Sequence, residues 1–211
     1  MTQQIIEKCR TQVKAVYDTF DSSHDWQHIE RVLSNAEKIM EKEPADRFLV
    51  ELAILLHDVS DPKYKRHDEN PEMDILQSLE LPEDQRNKIT DIIRQVSFGG
   101  GNGEAPATME AKIVQDADRL DAIGAVGIAR TFAFGGSRGR KLYDWGEEPR
   151  KKMTEEEYRS KPTSSATHFY EKLLLLKERM TTETGKQIAD ERHQYMLSFL
   201  EQLKKETDGN A

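Results

Sequence analysis

Apolar residues recur at steps of three and four along nearly the whole chain. That rhythm favours helices and leaves almost no room for strands. Ile5, Ile6, Cys9, Val13, Val16, Tyr17 and Phe20 form one stripe, and Trp26, Ile29, Val32, Leu33, Ala36, Ile39 and Met40 form a second. Asp21, Ser22 and Ser23 stand between them with break-and-cap chemistry. Pro44 opens a third segment, apolar almost all round from Phe48 to Leu56, as a helix central to a core would be. Shorter helices are expected near 71–80 and 83–97, the second opened by Pro82. The stretch FGGGNGEAPA, 98–107, reads as a loop from its glycines. A helix with Met109, Ile113, Val114, Ala117 and Leu120 follows, and either breaks or continues into 122–134. Residues 135–163 read as a long irregular insertion, and such loops are commonly functional or disordered. Two helices, about 165–183 and 186–205, close the chain. The expectation is an all-α helical bundle, one domain over 1–211 with an irregular insertion at about 135–163.

Composition narrows the function classes. The 211 residues are 36% hydrophobic and 33% charged, which suits one domain with a modest core. The longest apolar runs, Leu52–Leu56 and Leu173–Leu176, fall far short of the roughly 18 residues that span a bilayer. The opening MTQQIIEKCR has no basic start followed by an apolar run, so no signal peptide and a cytoplasmic location are expected. Cys9 is the sole cysteine, which excludes an intramolecular disulfide and a thiolate-rich zinc site. A net charge of −8 argues against a surface for polymeric nucleic acid, but not against a small phosphorylated ligand in a local basic pocket. On the last helix Tyr195, Met196, Phe199, Leu200 and Leu203 form an apolar stripe that serves either the core or a homodimer.

Histidines and aspartates then stand out against this apolar frame. In SHDWQHIERV, His24 and His28 are four apart and share a helix face. In ELAILLHDVSDPKY an apolar run ends in His57 and Asp58, with Asp61 and Lys63 just beyond. In QDADRLDAIG, Asp116, Asp118 and Asp121 sit in or beside a helix. Each could be an ordinary polar residue. Asp58 could end a helix, although the helix dipole disfavours a carboxylate at a C-terminus. Convergence from separated helices is what a site in a helical bundle requires. Two imidazoles and two carboxylates suit a divalent cation of intermediate hardness: Mn²⁺ or Mg²⁺ where phosphate must also bind, with Fe²⁺, Ni²⁺ and Zn²⁺ as further options.

The ordered set His28, His57-Asp58 and Asp118, with the flanks HIERV, AILLHDVSD and DADRLDAIG, resembles the HD-domain superfamily of metal-dependent phosphohydrolases. The segments ARTFAFGGSRGR and THFYEKLLLLKERMTTETGK are similar to the stand-alone bacterial members, among them nucleotide pyrophosphohydrolase-like enzymes. The resemblance implies that His28, His57, Asp58 and Asp118 bind one metal ion. It implies an acidic residue acting through the attacking water at Asp61, which could equally be an Asx-type cap before Pro62. His24 would contact a leaving-group oxygen or a nearby water, or else cap its helix. Lys63 and Lys65 follow at once and are either phosphate partners or solvated loop lysines. Arg130, Arg138, Arg140 and Lys141 make one region basic, and arginine forks match phosphate oxygens. His168 and Lys172, one turn apart, would line the pocket by resemblance; by chemistry alone Lys172 is as well placed at the surface.

The implied function is hydrolysis of (deoxy)nucleoside triphosphates to monophosphate and pyrophosphate. A nucleotide 5′-monophosphatase or cyclic-nucleotide phosphodiesterase would use the same metal. A nucleotide-binding regulatory module with a weakly active site is the reading from another class. Trp26, Phe98, Phe132, Phe134 and Trp145 are candidates to stack on a base. Neither glycine cluster fits a P-loop, and no serine or cysteine nucleophile motif is present.

Overall fold

The structure, a computed structural model, describes residues 2–20, 25–60, 70–96, 105–150 and 163–208. Those residues are all-α, with no strand among them. They divide into two compact units, 1–118 and 119–211, and the division falls between Asp118 and Arg119.

The first unit holds α1 (Thr2–Tyr17), α2 (Trp26–Met40), α3 (Arg47–Leu56), α4 (Pro71–Ser78), α5 (Glu83–Val96) and most of α6 (Met109–Asp121). α3 is its centre. Leu49, Val50, Leu52, Ala53, Ile54, Leu55 and Leu56 are all buried, and the helix packs on α1, α2 and α5. Burying one such aliphatic side chain contributes roughly 1.5–3 kcal/mol. Asp46 caps its start, accepting from the N–H groups of Phe48 and Leu49. Asp25 does the same for α2, accepting from the His28 N–H. The expected break and cap at Asp21–Ser23 lies outside the described residues, as do residues 61–69. α4 stops before residue 80, where Glu80 turns into the left-handed region at φ 55°.

The second unit holds α7 (Gly124–Ser137), α8 (Ser165–Glu171), two short 3₁₀ turns (Leu173–Leu175 and Lys177–Arg179) and α9 (Glu183–Thr207). Of the two outcomes open past residue 121, the structure has the break. Ile123 is extended and Gly124 has φ +74°, a conformation that favours glycine. At Gly127 a Cβ would meet the Ala122 carbonyl oxygen at 2.2 Å, so only glycine permits this approach. The helix expected over 165–183 is also corrected: it ends at Glu171, and Lys172 leaves helical geometry at φ −137°, ψ −59°. The physical reason lies in the leucine run. A 3₁₀ turn eclipses residues three apart, and here Leu173 and Leu176 are buried while Leu175 is 44% exposed. Phe132, Phe169 and Phe199 pack their rings together at 5.7–6.2 Å, joining α7, α8 and α9. On α9, Met196 and Leu200 are core, whereas Tyr195 is exposed.

Candidate metal centre

Three helices of the first unit bring His28, His57, Asp58 and Asp118 together. α2 carries His28 on its buried face, with no exposed surface. His57 is the C-cap of α3 and Asp58 follows it. α6 carries Asp118. The His28 Nε2 lies 3.5 Å from an Asp58 carboxylate oxygen and 3.6 Å from one of Asp118. The His57 Nε2 lies 3.4 Å and 3.8 Å from the same two oxygens. The two imidazole rings are 5.6 Å apart and tilted by 53°.

These distances are informative because hydrogen bonds of this kind run at about 2.7–3.2 Å. The four atoms sit just beyond that range, around a common point. Ligand bonds of about 2.0–2.2 Å separate neighbouring ligand atoms by about 2.8–3.1 Å in octahedral sites and about 3.3–3.6 Å in tetrahedral ones, the latter close to what is seen. The His57 Nε2 is buried and has no hydrogen bond among the described residues. The opposite nitrogen, Nδ1, meets the Ile54 carbonyl at 2.8 Å. That bond fixes the ring and leaves Nε2 facing the carboxylates, the usual arrangement behind a metal-ligating histidine. The residues therefore fit a divalent cation. The imidazoles are shielded from solvent, while the side chains of Asp58 and Asp118 are 20% and 31% exposed. The cluster opens on its carboxylate side.

Electrostatics agree with the geometry. Burial pulls the His57 pKa down, but the Asp58 and Asp118 charges outweigh it and carry it up to about 9. Burial likewise pushes Asp118 upward, and the nearby positive charge of His57 overcomes this to hold it below the usual carboxylate range. Two carboxylates thus draw positive charge to the point between the imidazoles, as a proton or as a cation.

Two further side chains, Tyr17 from the first apolar stripe and Asn35, which sequence reasoning passed over, also support the cluster. Tyr17 on α1 is fully buried; its hydroxyl donates to the Leu55 carbonyl at 3.1 Å and accepts from the Asp58 N–H at 3.3 Å. Burial, then the Asp58 charge, keeps that hydroxyl protonated far above its ordinary pKa. Asn35, buried two turns along α2 from His28, donates its amide to the Ala117 carbonyl at 3.1 Å, next to Asp118. The available signal was a polar side chain on an otherwise apolar face, since such a group needs a partner when buried.

The other candidate residues are distributed differently. His24, Asp61, Lys63 and Lys65 lie outside the described residues, as does Phe98. Asp116 is buried. In the second unit Arg130 donates to Asp121 at 2.8 Å, in a pair whose side chains are 15% and 2% exposed. Its guanidinium is thus committed at least in part to scaffolding. His168 lies near Lys172, Arg140 and Arg150; burial first, then the Lys172 and Arg140 charges, lower its pKa to about 3. Arg150 is itself held by the buried Glu171 at 2.6 Å. Arg138 and Arg140 both stand over the Phe134 ring, at 5.3 and 5.4 Å. Of the aromatic candidates, Phe132 belongs to the phenylalanine cluster. Trp145 stacks on Tyr143 and donates to Thr207. Trp26 lies beneath Arg10 and Lys14. No described helix is long and apolar enough to cross a membrane.

Comparison with known proteins gives this geometry a family. Residues 25–123, which contain all four clustered side chains, match the sequence model of the HD domain. YpgQ of Bacillus subtilis (strain 168) is 41% identical over 208 residues, covering 96% of this chain and 94% of that protein. A Lactobacillus plantarum protein of known structure superposes with a TM-score of 0.87 at 34% identity, covering 99% of each chain. An HD-superfamily hydrolase from Bacillus thuringiensis gives 0.75 at 42% identity, again over 99% of each. YpgQ has been crystallised in complex with ADP, and that structure gives 0.75 at 36% identity over 100% of each chain. With the His-His-Asp-Asp cluster in place and relatives matching along almost its full length, the chain belongs to the HD domain family of metal-dependent phosphohydrolases.

Proposed function

We propose that the enzyme hydrolyses nucleotides, taking (deoxy)nucleoside triphosphates to monophosphate and pyrophosphate, with His28, His57, Asp58 and Asp118 holding one divalent cation. The observation that carries this reading is the meeting of two imidazole nitrogens and two carboxylate oxygens within 3.4–3.8 Å, on the side chains of three helices. The ADP bound to YpgQ supports a nucleotide as the ligand class. Mn²⁺ or Mg²⁺ fits a centre half made of carboxylates, and such an ion supplies Lewis acidity to a phosphoryl oxygen and to water.

The chain's own groups have separable roles. The two buried imidazoles fix the position of the charge and exclude water from one side. Asp58 and Asp118 would match the cation's charge, and they border the side of the cluster that is open to solvent and so to substrate. Asp61, three residues past Asp58, is assigned the proton of the attacking water, and His24, one turn before His28 in sequence, is assigned to the leaving oxygen. Water attacks the α-phosphorus, the bond to the bridging oxygen breaks, and pyrophosphate departs. Lys63 carries charge suited to the phosphate chain.

Product analysis tests this. Metal-stripped protein is incubated with nucleoside mono-, di- and triphosphates, with Mn²⁺, Mg²⁺ or no metal, and Asp58→Ala alongside. Pyrophosphate and monophosphate in equal amounts from a triphosphate, dependent on metal and on Asp58, is the expected result. Orthophosphate released only from monophosphates would make the enzyme a nucleotide phosphatase instead.

A further inference from the structure

α1 precedes the residues 25–123 that match the family, yet it sends one polar group to the turn that carries two of the four clustered side chains. We propose that the Tyr17 hydroxyl is a positioning group for the metal centre. It holds the His57–Asp58 turn at the angle at which both side chains face one cation. The inference rests on the reading of His57 and Asp58 as metal ligands.

The last turn of a helix leaves carbonyls without intrahelical partners. At the end of α3 each has a distinct fate. The Ile54 carbonyl meets His57 Nδ1 at 2.8 Å. The Leu55 carbonyl accepts from the Tyr17 hydroxyl at 3.1 Å. The Leu56 carbonyl accepts from the Val59 N–H at 3.2 Å, a tightened three-residue step. The Tyr17 oxygen also accepts from the Asp58 N–H, so one atom ties together the residues on either side of Leu56 and His57. Leu55 and Tyr17 have no exposed surface. Removal of the hydroxyl therefore leaves a buried carbonyl without this donor, and the Asp58 amide without this acceptor. The turn then relaxes toward another geometry. Metal sites tolerate errors of only about 0.2 Å in ligand distance, so a small rotation of this turn is felt as lost affinity.

Tyr17→Phe isolates the effect. The ring's own packing, edge-on to Phe20 at 5.4 Å and tilted against Trp26 at 6.4 Å, needs no oxygen. Val13→Ala, one turn earlier on α1 and fully buried, loosens the same helix and keeps the hydroxyl. Mn²⁺ affinity of the metal-free proteins is read from the electron paramagnetic resonance of the free ion, beside metal-free melting temperatures and Asp58→Ala. Tyr17→Phe is expected to stay folded and to bind Mn²⁺ about 10-fold more weakly or worse, the usual size for a lost support behind a ligand. Val13→Ala is expected to melt earlier and bind Mn²⁺ like the parent. The proposal is overturned if Tyr17→Phe binds like the parent while Asp58→Ala loses binding, an outcome that leaves the ligand reading intact. Equal weakening in Tyr17→Phe and Val13→Ala overturns it too, because packing rather than the hydroxyl would be responsible. So does outright unfolding of Tyr17→Phe, which would make the hydroxyl a support of the fold. Undiminished binding by Asp58→Ala removes the ligand reading itself, and this inference with it.

Discussion

His57 concentrates the chemistry of the site into one ring. Its Nδ1 is held by the Ile54 carbonyl and its Nε2 faces two carboxylates that raise its pKa to about 9. In the unfolded chain the same group titrates near its ordinary 6.5. The folded state of the metal-free protein therefore binds this proton more tightly. The stabilisation is complete below about pH 6.5 and is lost as the pH rises through about 9. Urea unfolding of metal-free protein should show stability falling over that window, with a shallower fall once Mn²⁺ replaces the proton. A flat profile without metal would contradict the charge arrangement. Asp58→Ala should lower turnover at least about 100-fold, equivalent to roughly 3 kcal/mol of barrier, as steady-state assays at saturating Mn²⁺ would show. Residues were legible in the sequence where chemistry and spacing coincide, as at His57-Asp58 after an apolar run. Tyr17 was not, because it sits on a stripe of apolar neighbours and reads as core, and Asn35 was not, because a lone amide on a helix declares no role until its partner's backbone is located.

Elements were legible wherever the apolar rhythm was unbroken and the caps were local. α3 ends at Leu56, where its apolar run stops, but it starts at Arg47 and not at the expected Pro44, because the Asp46 side chain accepts from the Phe48 and Leu49 N–H groups and sets the first turn. Packing decides what the local pattern left open past Asp121: the chain breaks before α7, and Arg192 reaches from α9 to donate to the Leu120 carbonyl at 2.5 Å. A Cβ on Gly124 would approach the same arginine's Cγ at 2.9 Å. No local pattern announces a partner 72 residues away. At 173–179 the leucine run is helical by propensity, and the need to bury Leu173 and Leu176 on one side selects the tighter turns. Gly127→Ala tests the close approach in α7. The new methyl cannot coexist with the Ala122 carbonyl, so a destabilisation of about 1–3 kcal/mol is expected in chemical denaturation. A neutral effect would mean that the two helices can separate at no cost.

At the scale of the molecule, two buried histidines bound the pH range from opposite sides. His168, in the second unit, stays neutral in the fold down to about pH 3, because burial and then Lys172 and Arg140 oppose its proton. Unfolding lets it bind that proton, so its contribution is present above about pH 6.5 and is lost as the pH falls toward 3. Metal-free protein should be most stable near neutrality, and His168→Gln should blunt the acid limb without touching the basic one. The chemistry of the first unit was readable because its cluster is carried by short motifs on regular helices. In the second unit, charge composition marked a basic region but not its pairings: Arg130 with Asp121, and Arg150 with Glu171, were fixed by tertiary packing. If His28, His57, Asp58 and Asp118 share one divalent ion, anomalous diffraction from crystals grown with Mn²⁺ will show a single strong peak within bonding distance of His28 Nε2, His57 Nε2 and an oxygen of each aspartate. A well-ordered crystal with no peak there, or with its only peak elsewhere, would contradict it.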